Sequence, residues 1–204
     1  MKINKKKFIY LISPNKITTN FYKNLKEVFE TGKVSFFQMR LKKYSIEKKV
    51  LIGKKIKIIC KKNNVKFLVN DDPFLAKKLN ADGCHLGQKD TNIVKARKII
   101  GDKIIGITCH NSIQLAKLAI TNKASYLAFG AFFTSKTKKT KHKASIKILN
   151  EVKKMTKAPI VAIGGINSHN YKNLLLNNAN FLAISGYIWN NKKYKPVKAI
   201  EKLK

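Results

Sequence analysis

The sequence predicts a (β/α)8 barrel, the TIM-barrel member of the α/β class. Three observations carry that prediction. Short β-branched or aromatic runs alternate eight times with longer, Lys-rich segments of helical period. The runs are too short for helices and too apolar for edge strands, as expected of parallel strands buried on both faces. The chain has 204 residues, and barrels of this kind begin near ~200. That leaves about 25 residues per strand-helix unit. The expectation is therefore one domain over residues 1–204 with no inserted module. An open doubly wound sheet is the alternative architecture.

The strands are read, in order, as Phe8 to Ser13, Ser35 to Arg40, Lys66 to Asn70, Gly83 to Leu86, Ile104 to Thr108, Tyr126 to Phe132, Ile160 to Ile163 and Phe181 to Ser185. Between them, segments such as Asn92 to Ile100 and Ile113 to Ile120 place apolar residues three and four apart, the pattern of a helix packed on the outside. Asn111 and Ser112 precede the fifth helix as caps, and Asn167 and Ser168 precede the seventh.

In such a barrel the active site lies at the C-terminal ends of the strands, so the polar residues that follow each apolar run are the candidates. Strand two ends in Gln38-Met39-Arg40-Leu41-Lys42, which puts an amide and two cations on one face of an extended segment. Arg40 and Lys42 can grip an anion while Gln38 reads a heterocycle edge, although a strand end fraying into Lys-rich surface has the same composition. Strand three ends in Asn70-Asp71-Asp72, and strand four runs from Asp82 through His85 to Asp90, so four of the ten acids meet at two adjacent strand ends. A Mg2+-diphosphate site needs such hard oxygens, since Mg2+ takes one or two carboxylates, waters and substrate oxygens. Asp71 and Asp90 are the expected ligands. Asp72, before Pro73, is read instead as a helix cap, Asp82 as part of a turn, and His85 as a structural or supporting histidine.

Beyond strand six lies a loop of hydroxyls and amines, Thr134 to Lys141, suited to a diphosphate and able to close over it, or else simply a basic surface loop. Gly164-Gly165 and Ser185-Gly186 end strands seven and eight, where barrels commonly receive phosphate on backbone N–H groups.

Taken in order, Gln38 to Lys42, Asn70-Asp71, Ala81 to Asp90, Gly106 to Thr108, Ser135 to Lys138 and Ile163 to Ile166 closely resemble the thiamine phosphate synthase family. The stretch ending at Asp90 is the most specific. The resemblance implies a transferase that joins a hydroxymethylpyrimidine diphosphate to a thiazole phosphate and releases pyrophosphate, with Mg2+ as cofactor. It also implies roles. Gln38 and Asn70 would contact the aminopyrimidine; Arg40, Lys42 and Lys138 would hold diphosphate; Asp71 and Asp90 would bind Mg2+. Thr108 would be a small hydroxyl near the diphosphate, Ser135 and Thr137 the hydroxyls of the loop, and Gly165 and the backbone around Ser185 the seat of the thiazole phosphate. The chain departs from the family at Thr134, Ser135, Phe181, Gly186 and Tyr187, which bears on the shape of the loop and the phosphate pocket. A related thiazole tautomerase shares the barrel and a histidine at the position of His110, but has no diphosphate to hold with Arg40, Lys42 and Lys138.

The formal charge of +34 invites a nucleic-acid reading. The lysines, however, recur on most predicted helices instead of one element, and no aromatics interleave with them on a basic face. A solvated surface with no specific nucleic-acid partner is expected. Three cysteines without paired spacing point to a reducing compartment. The first apolar run is about six residues, short of a signal peptide, and none approaches the ~18 of a membrane span. These features together predict a cytoplasmic enzyme of small-molecule substrates, with the oligomeric state left open.

Overall fold

The computed structural model describes residues 7–134 and 142–203. Eight parallel strands close in sequence order into one barrel. They are β1 (Ile9–Ile12), β2 (Val34–Met39), β3 (Lys66–Asn70), β4 (Gly83–Leu86), β5 (Ile104–His110), β6 (Tyr126–Phe129), β7 (Ile160–Ile163) and β8 (Phe181–Ile184). The ring closes through β1 on β8, where Tyr10 pairs with Ala183.

The helices form the outer layer: α1 (Phe21–Glu30), α2 (Ile46–Lys62), α3 (Pro73–Lys78), α4 (Ile93–Ile100), α5 (Ile113–Thr121), α6 (Lys147–Met155), α7 (Tyr171–Leu176), α8 (Gly186–Trp189) and α9 (Pro196–Glu201). Each buries one stripe. In α1 it is Phe21, Leu25, Val28 and Phe29, spaced as successive turns require. The lysines occupy the opposite faces, which explains how so high a charge coexists with a folded core.

Strand alternation divides the apolar residues into two cores. One face of each strand, for example Ile9, Leu11, Phe37 and Met39, packs outward under the helices. The other fills the barrel with Tyr10, Ile12, Leu68, Tyr126, Ala128, Val161 and Ala183, backed by Phe36 and Phe181. The barrel is therefore plugged, and substrates can meet only its upper rim.

Helix starts follow the chemistry of their caps. Ser45, Asp72, Asn92 and Ser112 each accept a hydrogen bond from the backbone N–H three residues on, and Pro73 occupies the first turn of α3. The expected cap of the seventh helix is corrected. The helix begins at Tyr171 after Asn170, because Asn167 is engaged in a local turn, accepting from His169 N while its own N–H donates to Asn170 Oδ1.

Three strands match their expected limits, and the others shift. The sixth stops at Phe129, three residues early, because the chain leaves the ladder: Phe132 N donates to Ile163 O, and Ala131 bonds to His142 O and Ala144 N. The fifth runs two residues further, to His110, through an irregularity at Cys109. The first loses one residue at each end, the second shifts by one toward its start, and the eighth ends before Ser185.

Candidate active site

The upper rim gathers the residues that follow the strands. After β2, Lys42 extends its ammonium to Asp71, with Nζ 2.9 Å from Oδ2. Asp71 adopts a left-handed backbone, φ 66°, unusual outside glycine but tolerated by aspartate, and its N–H donates to His85 O at 2.8 Å. This pins the carboxylate against β4. Asp90 arrives from the loop after β4, where its Oδ2 accepts from Gly87 N at 2.7 Å. A side chain at position 87 would place its Cβ 2.9 Å from that oxygen, so glycine is what lets the loop turn so tightly.

Asp71 and Asp90 stand within hydrogen-bonding reach of each other, and their acidities diverge. Burial opposes ionisation at Asp71, but the bonds from Lys42 and Asp90 outweigh it and hold the group below its ordinary range. Burial and the neighbouring Asp71 both push Asp90 up. Two facing carboxylates beside a single ammonium carry excess negative charge, which is the local requirement for a hard cation. Among the described residues no group of three or more His, Cys, Asp or Glu could hold a metal ion; a pair suits Mg2+, which completes its shell with water and phosphate oxygens. Asp72 caps α3 as read from sequence, but the grouping of four acids at the rim is corrected: Asp82 precedes β4 at the other end of the barrel, where it accepts from Phe67 N and pairs with Lys66 at the start of β3.

Arg40 is partly buried beside β1. Its N–H donates to Ser13 Oγ at 2.9 Å, and its guanidinium reaches Asn15 Oδ1 at 3.4 Å. Asn70 ends β3 opposite His85, and a cavity of about 310 Å3 opens beside Asn70, Asp71 and Lys42. Ser185 turns its hydroxyl to Ser13 O at 3.1 Å, which leaves its surrounding main chain at the rim.

Gly164 and Gly165 both have positive φ. A Cβ on Gly165 would fall 2.4 Å from Thr134 O, and one on Gly164 would meet Ala131 at 2.4 Å. The glycine pair therefore admits the segment after β6 as a close neighbour, a packing reason additional to any phosphate contact. Ser135, Thr137 and Lys138 lie outside the described residues. His110, with φ 54°, sets its ring 4.2 Å from that of His142.

Below the rim runs a polar chain that sequence reasoning missed. Gln38, 3% exposed, donates from Nε2 to Tyr10 OH at 2.7 Å. Tyr10 OH meets Tyr126 OH at 2.8 Å, Tyr126 OH meets His85 Nδ1 at 2.8 Å, and His85 Nε2 meets Thr108 Oγ1 at 2.8 Å. Gln88 Nε2 donates to the carbonyl of Thr108. Burial holds both phenols protonated, far above their usual titration. Tyr10 and Tyr126 were hidden inside apolar runs. The available signal was Gly106, paired with Tyr126 in the barrel: a Cβ there would come 1.8 Å from the tyrosine ring.

Comparison with known proteins bears on the family. A family model described as thiamine monophosphate synthase matches residues 9–188. A thiamine-phosphate synthase of Pelagibacter ubique is 67% identical over the whole of both chains, and one of Erythrobacter litoralis is 38% identical over 94% of this chain and 92% of its own. Among solved structures, thiamine phosphate pyrophosphorylase from Pyrococcus furiosus superposes with a TM-score of 0.86 at 27% identity, covering 98% of this chain and 94% of that one. The motifs at the rim, the closed barrel that carries them and the end-to-end match place one conclusion beyond the individual residues: the chain belongs to the thiamine monophosphate synthase family of enzymes.

Proposed function

We propose that the chain transfers the pyrimidinylmethyl group of 4-amino-2-methyl-5-hydroxymethylpyrimidine diphosphate to the ring nitrogen of thiazole phosphate, giving thiamine phosphate and pyrophosphate. The observation that carries this reading is the meeting of Lys42, Asp71 and Asp90 at adjacent strand ends, one ammonium against two carboxylates.

The reaction breaks a C–O bond to diphosphate and forms a C–N bond to the thiazole. Its demand is for groups that receive the negative charge of the leaving diphosphate. Asp71 and Asp90 would hold Mg2+, which when bound supplies Lewis-acid neutralisation of the diphosphate oxygens. Arg40 and Lys42, joined by Lys138 from the loop, hold the same anion, and Thr108 offers a hydroxyl from the barrel interior. Gln38 and Asn70 orient the aminopyrimidine above the plug. Gly165 and the main chain at Ser185 receive the thiazole phosphate on the opposite side of the rim. The nitrogen that attacks has a lone pair of its own, so no side chain need remove a proton for bond formation.

The purified chain, given Mg2+ and both substrates, should release thiamine phosphate and pyrophosphate in equal amounts, and chelation should stop it. Absence of product, together with His110-dependent turnover of an aminothiazole carboxylate phosphate, would overturn the proposal in favour of an isomerase.

A further inference from the structure

We infer that the buried chain Gln38–Tyr10–Tyr126–His85–Thr108 is a polarised hydrogen-bond relay that fixes His85 as its neutral Nε2–H tautomer and so makes the Thr108 hydroxyl a hydrogen-bond donor to anion at the rim. The catalytic consequence rests on the proposed transferase reaction; the tautomer does not.

The polarity follows from counting hydrogens. Tyr10 OH receives a hydrogen from Gln38 Nε2. A phenol has one hydrogen to give, and its second described partner is Tyr126 OH. Tyr10 therefore donates to Tyr126. Tyr126, having accepted, gives its own hydrogen to His85 Nδ1, which must be the unprotonated nitrogen. The ring proton of a neutral His85 then sits on Nε2 and points at Thr108 Oγ1. Thr108 accepts from the histidine and has its hydrogen left to offer away from it.

Neither other state of His85 satisfies the chain. An imidazolium, or the Nδ1–H tautomer, would donate to Tyr126, which would send its hydrogen to Tyr10. Tyr10 would then receive two hydrogens and have no acceptor for its own among the described contacts, inside a barrel where Tyr10 is 1% exposed. An orphaned buried donor of this kind is costly. Gln38 thus heads the relay, and its donation from Nε2 sets the direction of the three hydrogen bonds that follow. The reverse chain would need the Gln38 carbonyl at Tyr10 OH, where Nε2 stands instead at 2.7 Å. Tyr10, Tyr126 and His85 are positioning residues in this scheme.

Histidine-15N NMR of the full chain without substrates tests the tautomer. With the other three histidines assigned by single replacement, His85 should show a protonated Nε2 and a bare Nδ1 at neutral pH. A protonated Nδ1, alone or with Nε2, would overturn the inference. Since this readout needs no turnover, it stands or falls apart from the transferase reading, which wild-type product formation decides. The catalytic arm uses Tyr126→Phe, which should lower kcat about tenfold or more with the KM for thiazole phosphate unchanged within about twofold. Thr108→Val should lose a similar factor, Thr108→Ser should recover activity relative to it, and the double variant Tyr126→Phe/Thr108→Val should lose little beyond either single change. Multiplicative losses in the double variant, or an unchanged kcat in Tyr126→Phe, would overturn the relay.

Discussion

Lys42 and Asp71 face each other across neighbouring strand ends at 2.9 Å, with the lysine side chain 56% and the aspartate side chain 29% exposed. A pair that wet contributes about 1 kcal/mol or less to folding. Its value lies in the charge it presents, one positive group tied to a carboxylate that itself abuts Asp90. Lys42→Ala should therefore leave thermal stability nearly unchanged while lowering turnover, and a loss of Tm in proportion to activity would assign the pair a structural role.

Asp71→Asn and Asp90→Asn each remove one carboxylate charge from the proposed metal pair without changing side-chain size. Both should fold, and both should lose Mg2+-dependent turnover, with Mg2+ titrations shifted to higher concentration. Unchanged activity of both variants at limiting Mg2+ would remove them as ligands.

In the loop, Lys138→Ala should lower kcat more than thiazole-phosphate affinity, because a contact to departing diphosphate strengthens as charge develops. Lys141→Ala serves as the comparison and should do little. Equal effects from the two would make the loop a diffuse basic patch.

Gly106→Ala should destabilise the barrel by about 1 to 3 kcal/mol or prevent folding, since the new methyl falls within the Tyr126 ring. Denaturant unfolding of Gly106→Ala and of Gly106→Ala/Tyr126→Leu gives the check: the pair should recover stability because leucine lacks the outer ring atoms that collide. No recovery would place the strain elsewhere.

Burial pushes the Cys84 and Cys109 thiols up to about 12, and Cys60 upward as well. In the unfolded chain the thiols ionise near ~8.5. Unfolding then releases protons above that pH, so stability is full below it and falls as pH rises toward the folded values. Cys84→Ala/Cys109→Ala should flatten this alkaline decline, and the native thiols should resist alkylation at pH 8. Rapid labelling of the folded chain at that pH would contradict their burial.

The barrel was legible because strand burial on both faces and helical Lys-stripes leave distinct periods in the sequence. The meeting of Asp71, Asp90 and Lys42 at the rim was legible as a position, though not as a role, because charged residues that follow apolar strands are carried to the strand ends. Asp72 declared itself as a cap through Pro73. Tyr10 and Tyr126 did not, since a tyrosine inside an apolar run reads as core until its hydroxyl partners are known, and those partners lie 28 and 41 residues away or more. The early end of β6 was equally hidden, because Ala131 and Phe132 are as apolar as a strand and are diverted only by backbone bonds to Ile163, His142 and Ala144.

The fit of Tyr126 over Gly106 also constrains the order in which this barrel can change over generations. A lineage that first shrinks residue 126 opens room at 106 and can later refill it. One that first enlarges residue 106 must displace a ring already in place, and the His85 contact goes with it. The two positions should therefore covary in one direction only, with a larger residue at 106 appearing in descendants that have already given up the tyrosine.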